Sequence, residues 1–388
     1  MSPLFLPYGR QAVDESDIAA VVDVLRGDWL TTGPAVDDFD SAFAAATGAA
    51  HAVSCSNGTT ALHLALAGLD VGEGDTCIVP AITFMATANA ARYCGAEVVF
   101  ADVDPDTGLM TPDTLKAAIA RAAGPVRAVL PVHLAGQCGD IDAMEGLAAL
   151  SGAVLVEDAC HAVGTTHRGR PVGSCRASAA AVFSFHPVKT IAAGEGGAVT
   201  TNDAALAERL RRLRSHGIER DPAHHRRQAG EPWWHEMQEL GWNYRLSDIQ
   251  AALAGSQLKR LSEFVERRRQ LAALYDEAVA ALDLPVQPLA RTPDCEPCLH
   301  LYPVRIDFEA AGIGRSDVMS ALRQRGIGTQ VHYIPVPEQP YYMDRYGRQA
   351  LPGARRYYER TLSLPLFVGM ADQDPLRVVT ALSDILRG

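Results

Sequence analysis

Positive charge is scarce in this 388-residue chain, and lysine most of all: Lys116, Lys189 and Lys259 are its only lysines. Against 46 acidic residues stand 35 Lys and Arg, a net charge of −11. Such a balance argues against a nucleic-acid-binding surface, although a few local donors can still hold a phosphorylated ligand. No run of about 20 apolar residues exists, so no segment is expected to span a membrane. The opening Met1-Ser2-Pro3-Leu4-Phe5-Leu6-Pro7 is too short and too proline-rich for a secretory leader. Internal repeats and low-complexity tracts are absent. The eight cysteines are scattered, several within apolar patterns, and read as buried free thiols of a cytoplasmic protein. The lone CxxC, Cys295 to Cys298 with His300 beside it, lacks the second pair that a zinc site needs, so no metal is expected.

What is present is an ordinary globular composition, 48% hydrophobic, and enough length for two domains. Seven short β-branched runs are predicted as strands: His51–Cys55, Thr76–Pro80, Glu97–Val103, Arg127–His133, Ala153–Asp158, Ala180–Phe185 and Gly197–Thr201. Helical patterns lie between them, at Thr59–Leu69, Thr83–Tyr93, Pro112–Arg121 and Ile141–Leu150. This alternation predicts an α/β fold with an open, mostly parallel sheet covered on both faces. Ligands in such sheets collect beyond the carboxyl ends of the strands. An N-terminal helix is predicted over Glu15–Arg26, capped by Asp14, with Ile18, Val21, Val22 and Leu25 on one face. Residues 218–242 lack a clean period and read as a long loop. Within it, His224-His225-Arg226-Arg227 is either a solvated cluster or an anion contact, and Trp233-Trp234 suggests packing.

From Ser247 a helical pattern runs to about Leu282, long enough to link two domains. An α+β stretch follows, with strand Leu301–Ile306, helix Arg315–Arg325 and strand Thr329–His332. The expected division is a large domain over 1–246, whose N-terminal segment could pack on the smaller one, and a smaller α+β domain over 247–388.

Four features fall at predicted strand ends. Ser56-Asn57-Gly58-Thr59-Thr60 follows the first strand and opens a helix; it is either a plain turn capped by Thr59 or an anion cradle. Val156-Glu157-Asp158-Ala159-Cys160-His161 ends an apolar strand in two acids, which suits a helix cap or a cationic ring nitrogen. Thr83-Phe84-Met85 offers an aromatic cover for a flat ring, or simply core. Finally, Ser184-Phe185-His186-Pro187-Val188-Lys189 leads into the Gly194-Glu195-Gly196-Gly197 turn. A lysine beside buried aromatic residues can lose its proton and attack a carbonyl. Alone, Lys189 would read as a snorkelling surface residue. Together the four features suit pyridoxal 5′-phosphate, which needs a phosphate cup, a partner for its ring nitrogen and a lysine.

At these residues the chain resembles the DegT/DnrJ/StrS family of sugar aminotransferases. The likeness runs from Pro7-Tyr8-Gly9-Arg10-Gln11 to the last helices, through SNGTTALHLAL, PAITFMATANA, VEDACHAVGT, SFHPVKTIAAGEGG and GWNYRLSDIQAALAGSQLKRL. The resemblance implies the aspartate-aminotransferase-like fold (PLP fold type I), with a seven-stranded sheet and a smaller C-terminal domain. It implies that Lys189 joins the cofactor covalently, that Asp158 pairs with the ring nitrogen and that His161 lies near the 3′ oxygen. Phe84 is implied to stack on the ring, and Thr59, Thr60 and Ser184 to hold the phosphate. Asn243 is implied to reach the phosphate of a second subunit, which makes a homodimer with shared sites the functional unit.

Within the family, SFHPVK with the GEGG turn looks most like enzymes that move an amino group from glutamate to C4 of a UDP-linked 4-keto-6-deoxy-N-acetylhexosamine, toward pseudaminic acid. Ala192-Ala193 departs from that subgroup, which usually carries small hydroxyl residues there. Transfer to dTDP- or GDP-linked ketosugars, or to C3, is the alternative, and enzymes acting at C3 usually show SFYPGKNLG instead. Dehydratases on the same scaffold carry histidine at the lysine position, and a cofactor-binding regulator without turnover would not need Lys189 and Asp158 intact. Tyr8, His186, His332 and Tyr333 are the expected contacts to sugar and diphosphate.

Overall fold

The computed structural model describes residues 5–227 and 231–388. Seven strands form one sheet: β1 (His51–Cys55), β2 (Thr76–Pro80), β3 (Glu97–Ala101), β4 (Val126–Val129), β5 (Val154–Asp158), β6 (Ala180–Ser184) and β7 (Gly197–Thr201). Their order across the sheet is β1-β7-β6-β5-β4-β2-β3. Only β7 runs against the rest, pairing antiparallel with both β1 and β6. Every residue of β2, β6 and β7 is buried, as strands covered on both faces require. The carboxyl ends of β1, β2, β5 and β6 therefore share one edge.

Helices α1 (Glu15–Arg26), α2 (Pro34–Thr47), α3 (Gly58–Gly68), α4 (Ala86–Tyr93), α5 (Pro112–Ile119), α6 (Ile141–Leu150), α7 (Ala204–Leu213) and α8 (Asp248–Lys259) surround this sheet. Apolar residues of α2, α5, α6 and α8 cover one face, and those of α3, α4 and α7 the other. On the first face Phe43 meets Phe39, Phe183 and Phe185, with ring centroids 5.6, 5.0 and 5.2 Å away. The contacts with Phe183 and Phe185 are edge-to-face, a geometry that stabilises beyond area alone. Asp248, buried in the first turn of α8, accepts from the Gly33 and Ala35 N–H groups at 2.8 and 3.1 Å. It thereby caps the entry to α2, which has no side-chain cap of its own.

The expected strands and helices recur with ends trimmed by a few residues. Four readings change. Asp14 caps α1 as expected, but Ile18 and Leu25 are exposed, and the one buried residue of the helix is Asp17. Asp17 turns inward because Gln257 and Arg260 bind its carboxylate. The long helix from Ser247 breaks at Arg260, where the guanidinium swings onto Asp14 and Asp17, and resumes as α9 (Leu261–Ala280). Thr329–His332 is not a strand; it makes only a bridge from Gln330 to Ser363. Residues 218–242, of which 228–230 lie outside the described residues, include a short ribbon that pairs Ile218–Glu219 with Glu236–Met237. Trp233 is 74% exposed there, so it is not a packing residue within this chain.

Beyond α9, strands β8 (Val286–Pro288), β9 (Tyr302–Ile306) and β10 (Thr361–Leu364) form an antiparallel sheet, packed by α9, α10 (Arg315–Gln324) and the final helix Asp374–Arg387. The N-terminal segment docks here. Leu6 exchanges hydrogen bonds of 2.8 Å with Gly326 and Gly328, and the Tyr8 carbonyl accepts from Leu366 N at 3.1 Å. This docking brings Tyr8 over the edge where the large sheet ends.

Replacing Phe43 by Ala removes the centre of the aromatic cluster. We expect a loss of about 3–5 kcal/mol in urea unfolding; a loss under about 1 kcal/mol would mean that the site collapses freely around the gap.

Candidate active site

At the shared edge lies a cavity of about 840 Å³. Its walls hold Tyr8, Thr59, Thr60, Phe84, Asp158, His161, Ser184, His186, Lys189, His332 and Tyr333, contributed by strand ends and by the segment before the closing helices. The structure thus brings together eleven of the twelve residues expected from the sequence. Asn243 alone is not on these walls; it is exposed and bridges to Ser215.

The floor is Asp158, the last residue of β5 and 5% exposed. Thr87 Oγ1 donates to its Oδ2 at 2.7 Å, and Cys160 N donates to Oδ1 at 3.2 Å. Thr83 Oγ1 in turn sits 2.7 Å from Thr87 Oγ1. Among the described residues no cation pairs with this carboxylate. A buried charge needs such a partner, so the fixed donors aim Asp158 at whatever enters the cavity.

One wall is the start of α3. Asn57, not Thr59, is the N-cap: its side chain accepts from Thr60 N at 2.9 Å while Thr60 Oγ1 reaches back to Asn57 N at 3.1 Å. The Thr60 hydroxyl also donates to Asn57 O. Thr60 therefore serves the cap, and the Thr59 hydroxyl with the Gly58 and Thr59 N–H groups is left to face the cavity. Gly58 is required: a Cβ there would lie 2.9 Å from Ser184 Cβ. Gly197 is required likewise, since its Cβ would fall 2.4 Å from Asn57 O. The Gly197 contact explains the glycine that ends the lysine loop, and the two glycines act together. They let β7 and the helix start close together around Ser184.

Lys189 follows β6, its backbone N–H bonded to His186 O at 2.8 Å. Burial lowers its pKa, against the opposing pull of Cys160 and Asp158. Three imidazoles stand around it, and none adds a charge. Burial, reinforced by Lys189 itself, pushes His161 and His300 well down and His332 down to about 3. His161 packs against His300 at 4.4 Å between ring centroids, and its Nε2 lies 3.2 Å from Tyr333 Oη. His332 Nδ1 bonds Ser363 Oγ at 2.8 Å, which ties the wall to the C-terminal sheet. Phe84 is 52% exposed at the mouth.

Sequence reasoning did not single out Thr87, Asn57 as the cap, His300 or Cys160. The Thr83–Thr87 spacing of four was a signal for one helix face. The approach of His300 to His161 spans 139 residues and left no local trace.

A second cleft, about 590 Å³, lies around Thr31, Thr32, Arg211, Arg212, Arg220, His224 and Arg245. Arg212 pairs with Glu219 and Glu239. Arg211, Arg220 and Arg245 form no ion pair among the described residues. His224 also faces this cleft, 3.8 Å from Glu219.

The model of the DegT/DnrJ/EryC1/StrS aminotransferase family matches residues 11–383. Among solved structures, Helicobacter pylori PseC, an aminotransferase involved in the biosynthesis of pseudoaminic acid, superposes with a TM-score of 0.89 at 27% identity, over 98% of this chain and 99% of that one. The aminotransferase TlmJ from Streptoalloteichus hindustanus does so with 0.89 at 32% identity, over the same shares. The putative sugar aminotransferase Spr1654 from Streptococcus pneumoniae, in its PLP form, gives 0.88 at 28%, over 98% of both chains. The cavity fits that group on three counts. Its floor is a buried carboxylate without a cation, its wall is a helix start that only glycine permits, and its lysine is desolvated.

Attack on an aldehyde needs the uncharged amine. Because burial depresses the Lys189 pKa, reductive trapping of an aldehyde at Lys189 should have its pH midpoint below the ordinary lysine value of about 10.4. Borohydride trapping at stepped pH, followed by peptide mapping, reads this. A midpoint at or above that value would mean the amine is solvated.

Proposed function

The chain belongs to the DegT/DnrJ/EryC1/StrS aminotransferase family, whose cofactor is pyridoxal 5′-phosphate, and from that premise we propose that it moves an amino group from glutamate to C4 of a UDP-linked 4-keto-6-deoxy-N-acetylhexosamine, toward pseudaminic acid-type sugars. The observation that carries this reading is the desolvated Lys189 amine in one cavity with the cation-free Asp158 carboxylate. The likeness to PseC and the SFHPVK stretch, in place of SFYPGKNLG, support C4 and this sugar class.

When bound, the cofactor supplies an electron-accepting ring and a carbon that carries the amino group between the two substrates. Asp158, held by Thr87 and the Cys160 N–H, would keep the ring nitrogen protonated. Gly58, Thr59 and Ser184 would hold the phosphate at the start of α3, where free N–H groups and the helix dipole favour an anion. Phe84 would cover the ring and exclude water. Lys189 Nζ, its pKa lowered by burial, would take the proton from Cα of glutamate and later return one to C4 of the sugar. Tyr8, His186, His332 and Tyr333 would line the sugar. We place the domain division at 246/247, so that this site forms where the large unit meets the smaller one.

Charge supports a homodimer with shared sites. Among the described residues Lys189 is the only Lys or Arg on the cavity walls. A nucleoside diphosphate would find no arginine there. The arginine cleft around Arg211 and Arg245 lies near Asn243 in the chain and is free of acid partners at three positions. A second copy placing that cleft over this cavity would complete it. The exposed Ile18, Leu25, Trp29 and Leu30 give such a copy apolar surface to bury.

Two measurements test this. Enzyme loaded with cofactor and glutamate should aminate UDP-linked 4-ketosugars, with the product identified by mass and NMR; reaction with only dTDP- or GDP-sugars would reject the sugar assignment. Lys189→Ala and Asn243→Ala chains, each inactive alone, should recover roughly a quarter of wild-type activity when refolded together, because mixed dimers hold one intact site. No recovery despite mixed dimers would place Asn243 in its own subunit's site.

A further inference from the structure

Tyr333 carries a donor that no described residue uses. The direction of its hydrogen bond to His161 is set one residue further back. The Ala135 backbone N–H donates to His161 Nδ1 at 3.4 Å. A backbone N–H can only donate, so Nδ1 accepts and bears no proton. Burial first, and Lys189 second, keep this imidazole uncharged. Its single ring proton therefore sits on Nε2, and Nε2–H donates to Tyr333 Oη, 3.2 Å away. The His300 ring, its centroid 4.4 Å away and tilted by 41°, packs against this imidazole.

The phenol's own proton must then point away from His161. Among the described residues no group accepts it, while Tyr333 lines the cavity. Burial, with the Asp158 charge adding to it, raises the phenol's pKa well above its ordinary value. The proton thus stays on oxygen at neutral pH. A donor that faces the cavity finds its acceptor when a ligand enters.

We propose that Tyr333 donates its O–H to a proton-poor oxygen of the bound ligands, aimed by the Ala135–His161 relay, that oxygen being the cofactor's 3′ oxygen or the ketone oxygen of the acceptor sugar. His161 is then a positioning residue. A fixed donor of this kind needs no reorientation as negative charge grows on the oxygen it faces, which is how preorganised sites favour carbonyl chemistry. The inference deepens the function proposed above and rests on it.

Tyr333→Phe removes the oxygen and keeps the ring. Two quantities are read on cofactor-loaded enzyme of unchanged circular dichroism: the pH midpoint of the bound cofactor's absorbance without substrates, and the single-turnover rates of the glutamate and ketosugar halves. If the oxygen is the cofactor's, the midpoint shifts by about half a unit or more. If it is the ketone's, the midpoint holds, the glutamate half stays within about twofold, and the ketosugar half slows roughly ten- to a hundredfold. Either result supports the proposal and names the oxygen. An unmoved midpoint with both halves unchanged, or both slowed by one common factor, overturns it.

His161→Leu should reproduce the same signature, and the double variant should be no worse than either single one. Additive losses would reject the relay, and this variant also decides the matter if Tyr333→Phe does not fold. Should the wild-type enzyme show no cofactor absorbance change with glutamate, the functional reading itself fails. A normal wild type beside an unaffected Tyr333→Phe defeats only the present inference.

Discussion

A carboxylate taken out of water needs a positive partner, or it will be protonated or destabilise the fold. Asp158 is buried at the end of a central strand and receives two hydrogen bonds, yet no cation of the described chain pairs with it. Much of the surrounding structure serves that arrangement. Thr83, just before α4, bonds Thr87 within it, and Thr87 orients one oxygen. The Cys160 N–H, at the turn after the strand, fixes the other. In the proposed function the cofactor's protonated ring nitrogen would be that cation, and its binding would relieve a cost already built into the sheet. Burial also keeps the imidazoles of His161, His300 and His332 uncharged beside Lys189.

The topology explains why this can happen at one edge. With β7 alone reversed, β1, β2, β5 and β6 all end on the same side, and each is followed by a residue set facing one cavity. Strand β7 begins there too, and its first glycine lets the backbone pass close to Asn57. The C-terminal sheet closes the far wall through His332 and Ser363, and the N-terminal segment adds Tyr8 by docking on that same sheet. The site is therefore assembled from parts of the chain that fold on two different cores.

Surface features unexplained within one chain point in a common direction. Ile18 and Leu25 of α1 and Trp233 are exposed, and an arginine-lined cleft stands apart from a cavity that has one lysine. An acidic protein that handles a phosphorylated ligand must concentrate its cations, and the cleft's arginines lie apart from Lys189. In the proposed dimer a second copy of the chain would reconcile the two.

Local sequence determined the strands, most helix starts, and the placement of Asp158, Lys189, Phe84 and Ser184 at strand ends, because period, caps and turn residues are short-range signals. It also suggested the cofactor, since each of that group's three chemical needs had a residue type at a strand end. Tertiary structure alone decided the break at Arg260, which depends on acids more than 240 residues earlier. It alone turned Asp17 inward and set His300 against His161. These outcomes depend on which groups meet across the fold, and a buried polar group takes its orientation from the partner it finds there, not from its neighbours along the chain.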